Sequence, residues 1–281
     1  MSASGPTPPR PLKDSRRPGP KAYLLITLFA VLLVLFPFLF WYETWFGRKL
    51  TDAQISEYFA DKEKPRHAQH ALVQIGERLQ QHQDVSRWYP DILKSAASPV
   101  LEIRENSAWI MGQIAYPPFH QALLHLVHDP QPMVRRNAAL ALANYNDAEA
   151  EPQLDAMLQP YTIASPAAGI VKYRLKLGDY VNPGTLVARI GETEVRSAVP
   201  GEVRALDRNE GAAVKIGDAL ADLGADKNHV WEALRALVLV GQPADLEFVS
   251  RYTHPVPGMP DSIQRQAMET KQAIEDRAAR R

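Results

Sequence analysis

The sequence lacks cysteine, and it has no excess of charge of either sign, because 32 Lys and Arg residues balance 32 Asp and Glu residues. The missing cysteines exclude disulfides, thiolate nucleophiles and Cys-ligated zinc. The balanced charge does not provide the basic surface that nucleic acid requires. G-x-S-x-G, H-E-x-x-H and Walker A sequences are also missing, so we expect no enzymatic activity, no cofactor, no small-molecule substrate and no nucleic acid partner.

One long apolar run stands near the N-terminus. Residues 22–42, AYLLITLFAVLLVLFPFLFWY, contain no charged residue, and about 20 apolar residues are enough for a helix to cross a bilayer. Aromatic residues that favour the headgroup layer lie at its end and beyond it, at Trp41, Tyr42, Trp45 and Phe46. A cleaved signal peptide is the alternative, but its apolar region is about 7 to 15 residues long and a small-residue cleavage site follows it. The run therefore predicts an uncleaved transmembrane helix.

The residues before this run predict its orientation. Residues 1–21 are rich in Pro, Gly and Ser and contain five basic residues, Arg10, Lys13, Arg16, Arg17 and Lys21, against the single acid Asp14. Such a segment buries little apolar surface and is expected to be a disordered tail. The positive charge places the tail in the cytoplasm. We therefore expect a single-pass protein of the bacterial inner (cytoplasmic) membrane, with its soluble region in the periplasm or another extracytoplasmic space.

The region after Thr51 repeats itself. Residues 103–113, IRENSAWIMGQ, align with residues 134–144, VRRNAALALAN, at an offset of 31 residues. AQHALVQIG at 68–76 matches ALRALVLVG at 233–241. Alternating small and large apolar residues are what a helix needs when it packs against neighbours on two faces. These repeats predict paired amphipathic helices.

The clearest unit is PFHQALLHLVHDPQPMVRRNAALALANY, residues 118–145. Its Asp-Pro turn, the following Val-Arg and the Ala/Leu helix resemble HEAT repeats of the kind found in bilin-lyase-like proteins. The resemblance covers residues 51–158 and the last part of the chain, 227–281, which ends in a C-terminal helix. It implies an α-solenoid with a concave face that binds a partner. Arg104 and Arg135 are candidate partner-binding residues of this motif, or alternatively brace the turn of their own or the adjacent repeat.

The helical pattern stops between residues 159 and 225. Short alternations of Val, Ile and Leu between Gly and Pro predict strands there. Two related halves, one from Pro166 and one from Pro200, predict a small two-fold β-sandwich. The flanking sequences look like the first and second helices of one repeat, the fourth, so the sandwich is expected to be an insert that projects from the stack.

The doubled P-x-x-G and G-D-x-V-x-x-G pattern of this insert resembles the biotinyl/lipoyl-like domain of carboxylase and dehydrogenase carrier proteins and of periplasmic membrane-fusion adaptors. In the carriers, the modified lysine lies on the hairpin that joins the halves. The corresponding stretch here, from Val187 to Gly201, contains Arg189 and Arg196 but no lysine. Arginine cannot form the amide that holds biotin or lipoate. The resemblance therefore implies an unmodified module for contact or assembly, with Arg189 and Arg196 as candidate partner-binding residues.

The eight histidines raise the alternative of a metal site. His67 with His70, and His125 with His128, share a helix face at a spacing of i, i+3. The weak candidates for metal ligands are His120, His125 and His128. A zinc site needs three or four ligands with supporting hydrogen bonds, and neither pair lies beside a cluster of acids or methionines. We therefore expect surface histidines and no metal.

Two tryptophans lie at informative positions. Trp109, in the second helix of its repeat, is expected in the core. Trp231 begins the helix after the insert and is expected to pack between the insert and the solenoid.

The sequence as a whole predicts a mainly α protein: a HEAT-type α-solenoid with an inserted all-β biotinyl/lipoyl-like sandwich and one N-terminal transmembrane helix. The predicted function is a non-enzymatic adaptor or assembly factor for an envelope complex, such as a transporter, secretion system or respiratory enzyme. Two alternatives stay open. One is a carrier or enzyme-associated subunit with a covalent group on a lysine, and the other is a metal-handling accessory protein.

Overall fold

The computed structural model describes residues 20–44 and 48–280, and the chain divides into two units, Met1–Lys49 and Leu50–Arg281. In the first unit, helix α1 spans Pro20–Thr44, and its large apolar side chains between Tyr23 and Leu39 are exposed. Among the described residues, no helix is long and apolar enough to cross a membrane. Residues 1–19 of the predicted tail, and the predicted interfacial Trp45 and Phe46, lie outside the described residues.

The helices described in the second unit form five consecutive pairs. In chain order, the pairs are α2 (Asp52–Ala60) with α3 (Pro65–Gln80), α4 (Tyr89–Ser95) with α5 (Leu101–Met111), α6 (Pro117–Leu126) with α7 (Pro132–Asn144), α8 (Glu151–Met157) with α9 (Lys227–Val240), and α10 (Leu246–Ser250) with α11 (Asp261–Ala279). Proline occupies at least one of the first two positions of α3, α4, α6, α7 and α8. Its fixed φ suits the start of a helix, and its missing N–H would have no partner there.

The second helices of successive pairs pack closely because small residues let their backbones approach. A Cβ added to Gly112, at the end of α5, would lie 2.5 Å from the Cβ of Ala141 on α7. A Cβ added to Gly241, at the end of α9, would lie 2.9 Å from Ile274 on α11. One apolar core runs through all five pairs. Each pair therefore buries its apolar residues against its neighbours, as in a solenoid.

The segment between α8 and α9 folds into two four-stranded antiparallel sheets. Its strands are β1 (Tyr161–Ala164), β2 (Gly169–Tyr173), β3 (Tyr180–Val181), β4 (Leu186–Ile190), β5 (Thr193–Arg196), β6 (Gly201–Leu206), β7 (Ala213–Val214) and β8 (Ala219–Leu223). The strand orders are β1-β8-β6-β3 and β5-β4-β2-β7. If β1, β2, β3 and β4 exchange places with β5, β6, β7 and β8, respectively, the first strand order becomes the second. The insert therefore has the internal two-fold arrangement that its duplicated sequence predicts.

The turns of the two halves match in the same way. Gly178 and Gly211 have φ angles of +86° and +78°, and Gly184 and Gly217 have φ angles of +85° and +87°. Glycine favours these angles because it has no Cβ. Inward residues of the strands form a second apolar core, which includes Val171, Val181, Val187, Val203, Val214 and Leu220.

The two ends of the insert lie next to each other. β1 pairs with β8, and Tyr161 stands opposite Leu223, so the chain leaves α8 and returns to α9 at neighbouring points. The predicted helical repeat region and the separate antiparallel β region are both confirmed. The biotinyl/lipoyl-like classification of the insert and the transmembrane helix stay predictions.

Candidate functional site

The second helices of the solenoid form a groove. Residues of α5, α7, α9 and α11 line a cavity of about 760 Å³. Its walls combine apolar side chains, amides and charges, among them Leu140, Leu239, Asn144, Gln266, Arg235 and Glu269. No single chemistry dominates the walls, which is typical of surfaces that bind proteins.

Trp109 on α5 is half-exposed at this groove, with 41% of its surface accessible. A Cβ added to Gly76 on α3 would lie 2.9 Å from the Cζ3 atom of Trp109, so the indole packs directly on the backbone of α3. The prediction that Trp109 is a core residue is wrong. Because Gly76 has no side chain, the indole ring packs on the surface of α3, and part of the ring stays exposed to the groove.

Two further cavities lie where the insert meets the solenoid, with volumes of about 250 and 480 Å³. The residues that line both are Met133, Arg136, Pro200, Asp226 and His229. Arg136 also lines the groove. The three cavities therefore adjoin at Arg136 and form one surface that continues from Trp109 to the insert.

Arg136 bridges α7 and α9. Its Nη2 donates to Oε2 of Glu232, and its Nη1 donates to Oδ1 of Asn137 at 2.5 Å. Only 15% of the side chain is exposed. The Nε atom is buried and has no hydrogen-bond partner among the described residues. Buried N–H groups are nearly always paired in proteins, so the buried Nε of Arg136 is an exception.

The charge of Arg136 also affects His229, at the start of α9. Burial, followed by the positive charge of Arg136, lowers the pKa of His229 to about 4, against an opposite effect of Asp226. His229 is therefore neutral at physiological pH. Its ring adds no positive charge to the junction cavities.

Asp226 joins the insert to the solenoid. Its Oδ1 accepts hydrogen bonds from the backbone N–H groups of Asn228 and His229, and its Oδ2 accepts one from the phenol of Tyr180 on β3. Trp231, one turn further along α9, packs against the solenoid core and lines the larger junction cavity together with Tyr180. Trp231 thus lies between the two parts, as the sequence predicts.

Arg104 and Arg135 occupy equivalent positions in successive repeats and make equivalent contacts. Nη1 of Arg104 donates to the carbonyl of Ser98, and Nη1 of Arg135 donates to the carbonyl of Asp129, both at 2.8 Å. Arg104 also pairs with the carboxylate of Asp129 at 2.7 Å, and Nε of Arg135 donates to Gln153 at 2.9 Å. These are the bracing contacts of the alternative interpretation, and they leave little of either guanidinium for a partner.

Arg189 and Arg196 lie on the hairpin of β4 and β5. Each pairs with Glu194 at 2.6 Å. Gly191 and Glu192 form the turn of the hairpin, so its tip presents a carboxylate and no amine. Both arginines are exposed, and their role as partner-binding residues stays a prediction.

The histidines considered as metal ligands are not gathered into one site. Nε2 of His120 lies 2.6 Å from Oδ2 of Asp147, and its ring stacks on Tyr145 with the centroids 5.0 Å apart. In the part of the chain that the structure describes, no group of three or more His, Cys, Asp or Glu residues is placed to hold a metal. The geometry therefore gives His120, His125 and His128 no shared ligand set.

Sequence reasoning did not single out Arg136, although it named the neighbouring Arg135. Adjacent residues of a helix point about 100° apart, so Arg135 braces a turn while Arg136 faces the groove. The sequence contains one indication of this position: at the 31-residue offset, Arg136 aligns with Glu105, so the charge changes sign between successive repeats. Burial raises the pKa of Glu105, and the positive charge of Arg136 opposes this rise without cancelling it.

Comparison with known proteins matches part of this chain to HEAT repeats. Residues 89–160, which contain α4 to α8, match the family described as HEAT repeats. The chain is also 40% identical over 80 residues to "Uncharacterized protein YqeB" of Escherichia coli (strain K12). That alignment covers 27% of this chain and only 15% of the relative. HEAT repeats generally mediate protein–protein interactions, and two of the matched helices, α5 and α7, line the groove.

Proposed function

We propose that this protein is a membrane-anchored, non-enzymatic adaptor or assembly factor that binds protein partners of an envelope complex, such as a transporter, secretion system or respiratory enzyme. The observation that carries the proposal is the groove on a HEAT-type stack, which continues onto the surface of the insert. The solenoid and the insert together supply the partner surface.

The composition of this surface supports protein recognition. Trp109 and Leu239 are 41% and 45% exposed at the groove, and Trp231 and Tyr180 line the adjoining cavity. Tryptophan, tyrosine and arginine are enriched among the few residues that dominate the binding energy at protein interfaces. Arg136, at the centre, adds the third residue type.

The proposed anchor is α1, which would place the N-terminus in the cytoplasm and residues 50–281 in the periplasm or another extracytoplasmic space. Support comes from the 21 uncharged residues of 22–42 within a helix of 25 residues, since about 20 apolar residues span a bilayer. Of the helices that the structure describes, none is long and apolar enough to cross a membrane, so the proposed anchor rests on the sequence of residues 22–42.

The test of the anchor is to express the full chain, and a variant without residues 22–42, each with alkaline phosphatase at the C-terminus. The enzyme folds only outside the cytoplasm. We expect the full chain to be active and to resist carbonate extraction from membranes, whereas the variant is inactive and soluble. Release of the full chain by carbonate would contradict the anchor.

The test of the adaptor function is site-specific photocrosslinking in the native cell. The crosslinker p-benzoylphenylalanine replaces Leu239 in the groove or, as a matched control, Gln121, which is exposed on α6. We expect one or two envelope proteins to be captured from position 239 and not from position 121. Capture of nothing, or of the same proteins from both positions, would overturn the proposal.

The carrier alternative requires a covalent group on a lysine, and the insert offers Lys172, Lys176 and Lys215, all outside the β4–β5 hairpin. Intact mass of the protein from its native cell decides this alternative, because biotin or lipoate would add a defined mass. Metal analysis of the same sample decides the metal-handling alternative.

A further inference from the structure

We propose that the groove binds an extended acidic segment of the partner protein, and that Arg136 receives a carboxylate of that segment. The inference rests on the proposed adaptor function and specifies what the partner presents. It starts from the point at which the three cavities adjoin.

Arg136 lies where the cavities meet, and its guanidinium holds one carboxylate, that of Glu232. A guanidinium carries five N–H groups in a planar fork that matches a carboxylate. Within the described residues, Nη1 serves Asn137, Nη2 serves Glu232 and Nε serves no acceptor. Its one ion-pair partner, Glu232, is 38% exposed and lies at the wall of the groove. A carboxylate from a partner can therefore compete with Glu232 for the same fork.

The other charges at the junction are already engaged. Both oxygens of Asp226 accept hydrogen bonds, Arg135 donates to its own repeat and the next one, and His229 is neutral. Arg235 on α9 is exposed in the groove and forms no ion pair with any described residue. Arg235 is thus an exposed positive charge on this side of the groove, and it complements an acidic side chain.

The opposite side of the groove is acidic, because Glu269 on α11 lines it. A ligand with negative charge along its whole length would meet repulsion there. The acidic position of the segment is therefore expected over α7 and α9, with uncharged residues over α11.

The size of the groove favours an extended segment over a free small anion. Four packed helices at about 8–10 Å spacing span roughly 27 Å, which is the length of about eight extended residues. Amides can pair with the backbone of such a segment, since each offers both donors and an acceptor. Asn144 is exposed in the groove, where its Nδ2 donates to the carbonyl of Gly112.

The ion pair between Arg136 and Glu232 provides a test that separates a structural role from a binding role. The two roles predict opposite effects of Glu232→Gln on partner binding. Arg136→Gln and Glu232→Gln both remove the bridge between α7 and α9. A purely structural bridge predicts that both substitutions weaken partner binding equally. A receptor role predicts that Arg136→Gln weakens binding at least tenfold, whereas Glu232→Gln strengthens it, because the internal competitor is gone.

The probes are synthetic peptides obtained by selecting a random 12-residue phage library on the full chain in detergent. We expect selected peptides to carry one or two acidic residues beside an apolar residue, and their Glu→Gln versions to bind the wild type at least tenfold more weakly by fluorescence anisotropy. That peptide comparison, and the Glu232→Gln result, remain decisive if Arg136→Gln fails to fold. Peptides without acids, or equal losses in both protein variants, would overturn the inference.

Succinate is the probe that tests whether the site binds a small anion. Succinate binding that depends on Arg136, without selection of any peptide, would overturn the peptide proposal in favour of a small-anion site. The proposed function fails separately. A partner captured from position 239 equally well by wild type and Arg136→Gln would remove this inference and leave the adaptor standing, whereas capture of no partner would remove the adaptor.

Discussion

The phenol of Tyr180, in the insert, donates a hydrogen bond of 2.7 Å to Oδ2 of Asp226, the residue that caps α9. Burial and this hydrogen bond raise the pKa of Tyr180 to about 12. Burial alone would raise the pKa of Asp226, but the hydrogen bonds from Tyr180 and from backbone N–H groups outweigh it and hold the pKa below its usual value. One carboxylate thus couples the position of the insert to the start of a solenoid helix.

Removal of this link should loosen the insert without unfolding either part. We expect Tyr180→Phe to lower the free energy of unfolding by about 1 kcal/mol, the usual value of one hydrogen bond. Urea titration of the full chain measures the change. Tyr161→Phe on β1 is the control and should change the free energy by less than about 0.5 kcal/mol. Equal effects would show that the Tyr180–Asp226 bond contributes nothing specific.

The brace between repeats should matter more. The side chains of Arg104 and Asp129 are only 14% and 7% exposed. Arg104→Ala would leave the carboxylate of Asp129 buried without its cation, and we expect a loss of about 3 kcal/mol. Arg189→Ala, in the exposed pair with Glu194, should cost less than about 1 kcal/mol. Urea titrations compare the two, and a similar small loss in both would argue against a brace.

A carboxyl pair makes the stability depend on pH. Burial, then the charge of Asp245 and a hydrogen bond with it, then Glu151 and Glu247, raise the pKa of Asp155 to about 7. The folded state therefore holds this proton between about pH 4 and pH 7, where the unfolded state has released it. Its contribution to stability is largest at low pH and is lost as pH rises towards 7.

We expect Asp155→Asn to remove this pH dependence, because an amide does not ionise, so that the variant is more stable than the wild type at pH 8 and similar to it near pH 4. Urea titrations at several pH values measure the difference. Asp276→Asn, at an exposed position on α11, is the control. A constant difference across the pH range would show that Asp155 does not titrate in this window.

The close approach of α5 and α7 should not tolerate a methyl group. An alanine at position 112 would place its Cβ 2.5 Å from Cβ and 2.8 Å from Cα of Ala141. Because backbone cannot move aside locally, we expect Gly112→Ala to lower the melting temperature and to cost about 1–3 kcal/mol. Gly76→Ala meets only the ring of half-exposed Trp109, which can shift, and should cost less. The reverse order would mean that Trp109 is held more firmly than α7.

The insert should be removable. Since Tyr161 and Leu223 are paired neighbours, a short Gly-Ser linker in place of residues 161–224 should let α8 and α9 pack as they do now. We expect one cooperative thermal transition and a helical circular dichroism spectrum. A broad, non-cooperative transition would make the insert part of the solenoid core.

The repeat pattern was predictable because it is written twice. Arg104 and Arg135 recur at the 31-residue offset, and the structure gives them matching contacts to Ser98 and Asp129. The doubled glycines of the insert likewise predicted its two-fold arrangement. Periodic sequence fixes what touches within and between repeats.

The groove was harder to predict because it depends on what lies opposite each residue. Trp109 looked like a core residue, and only the close approach of Gly76 seats its ring at the surface. Arg136 gained its role from Glu232, a residue 96 positions away on the far side of the insert. No local sequence pattern predicts a contact over that distance.

The neighbouring ends of the insert also bear on how the chain reaches its fold. About 70 residues separate the end of α8 from the start of α9, so the two helices would have to close a long loop before they could pack. When the insert is folded, the β1–β8 pairing reduces that loop to a few residues. The entropic cost of closing the loop then falls by about 2 kcal/mol. Folding of the insert thus brings α8 and α9 close together before they pack as the fourth pair of the solenoid.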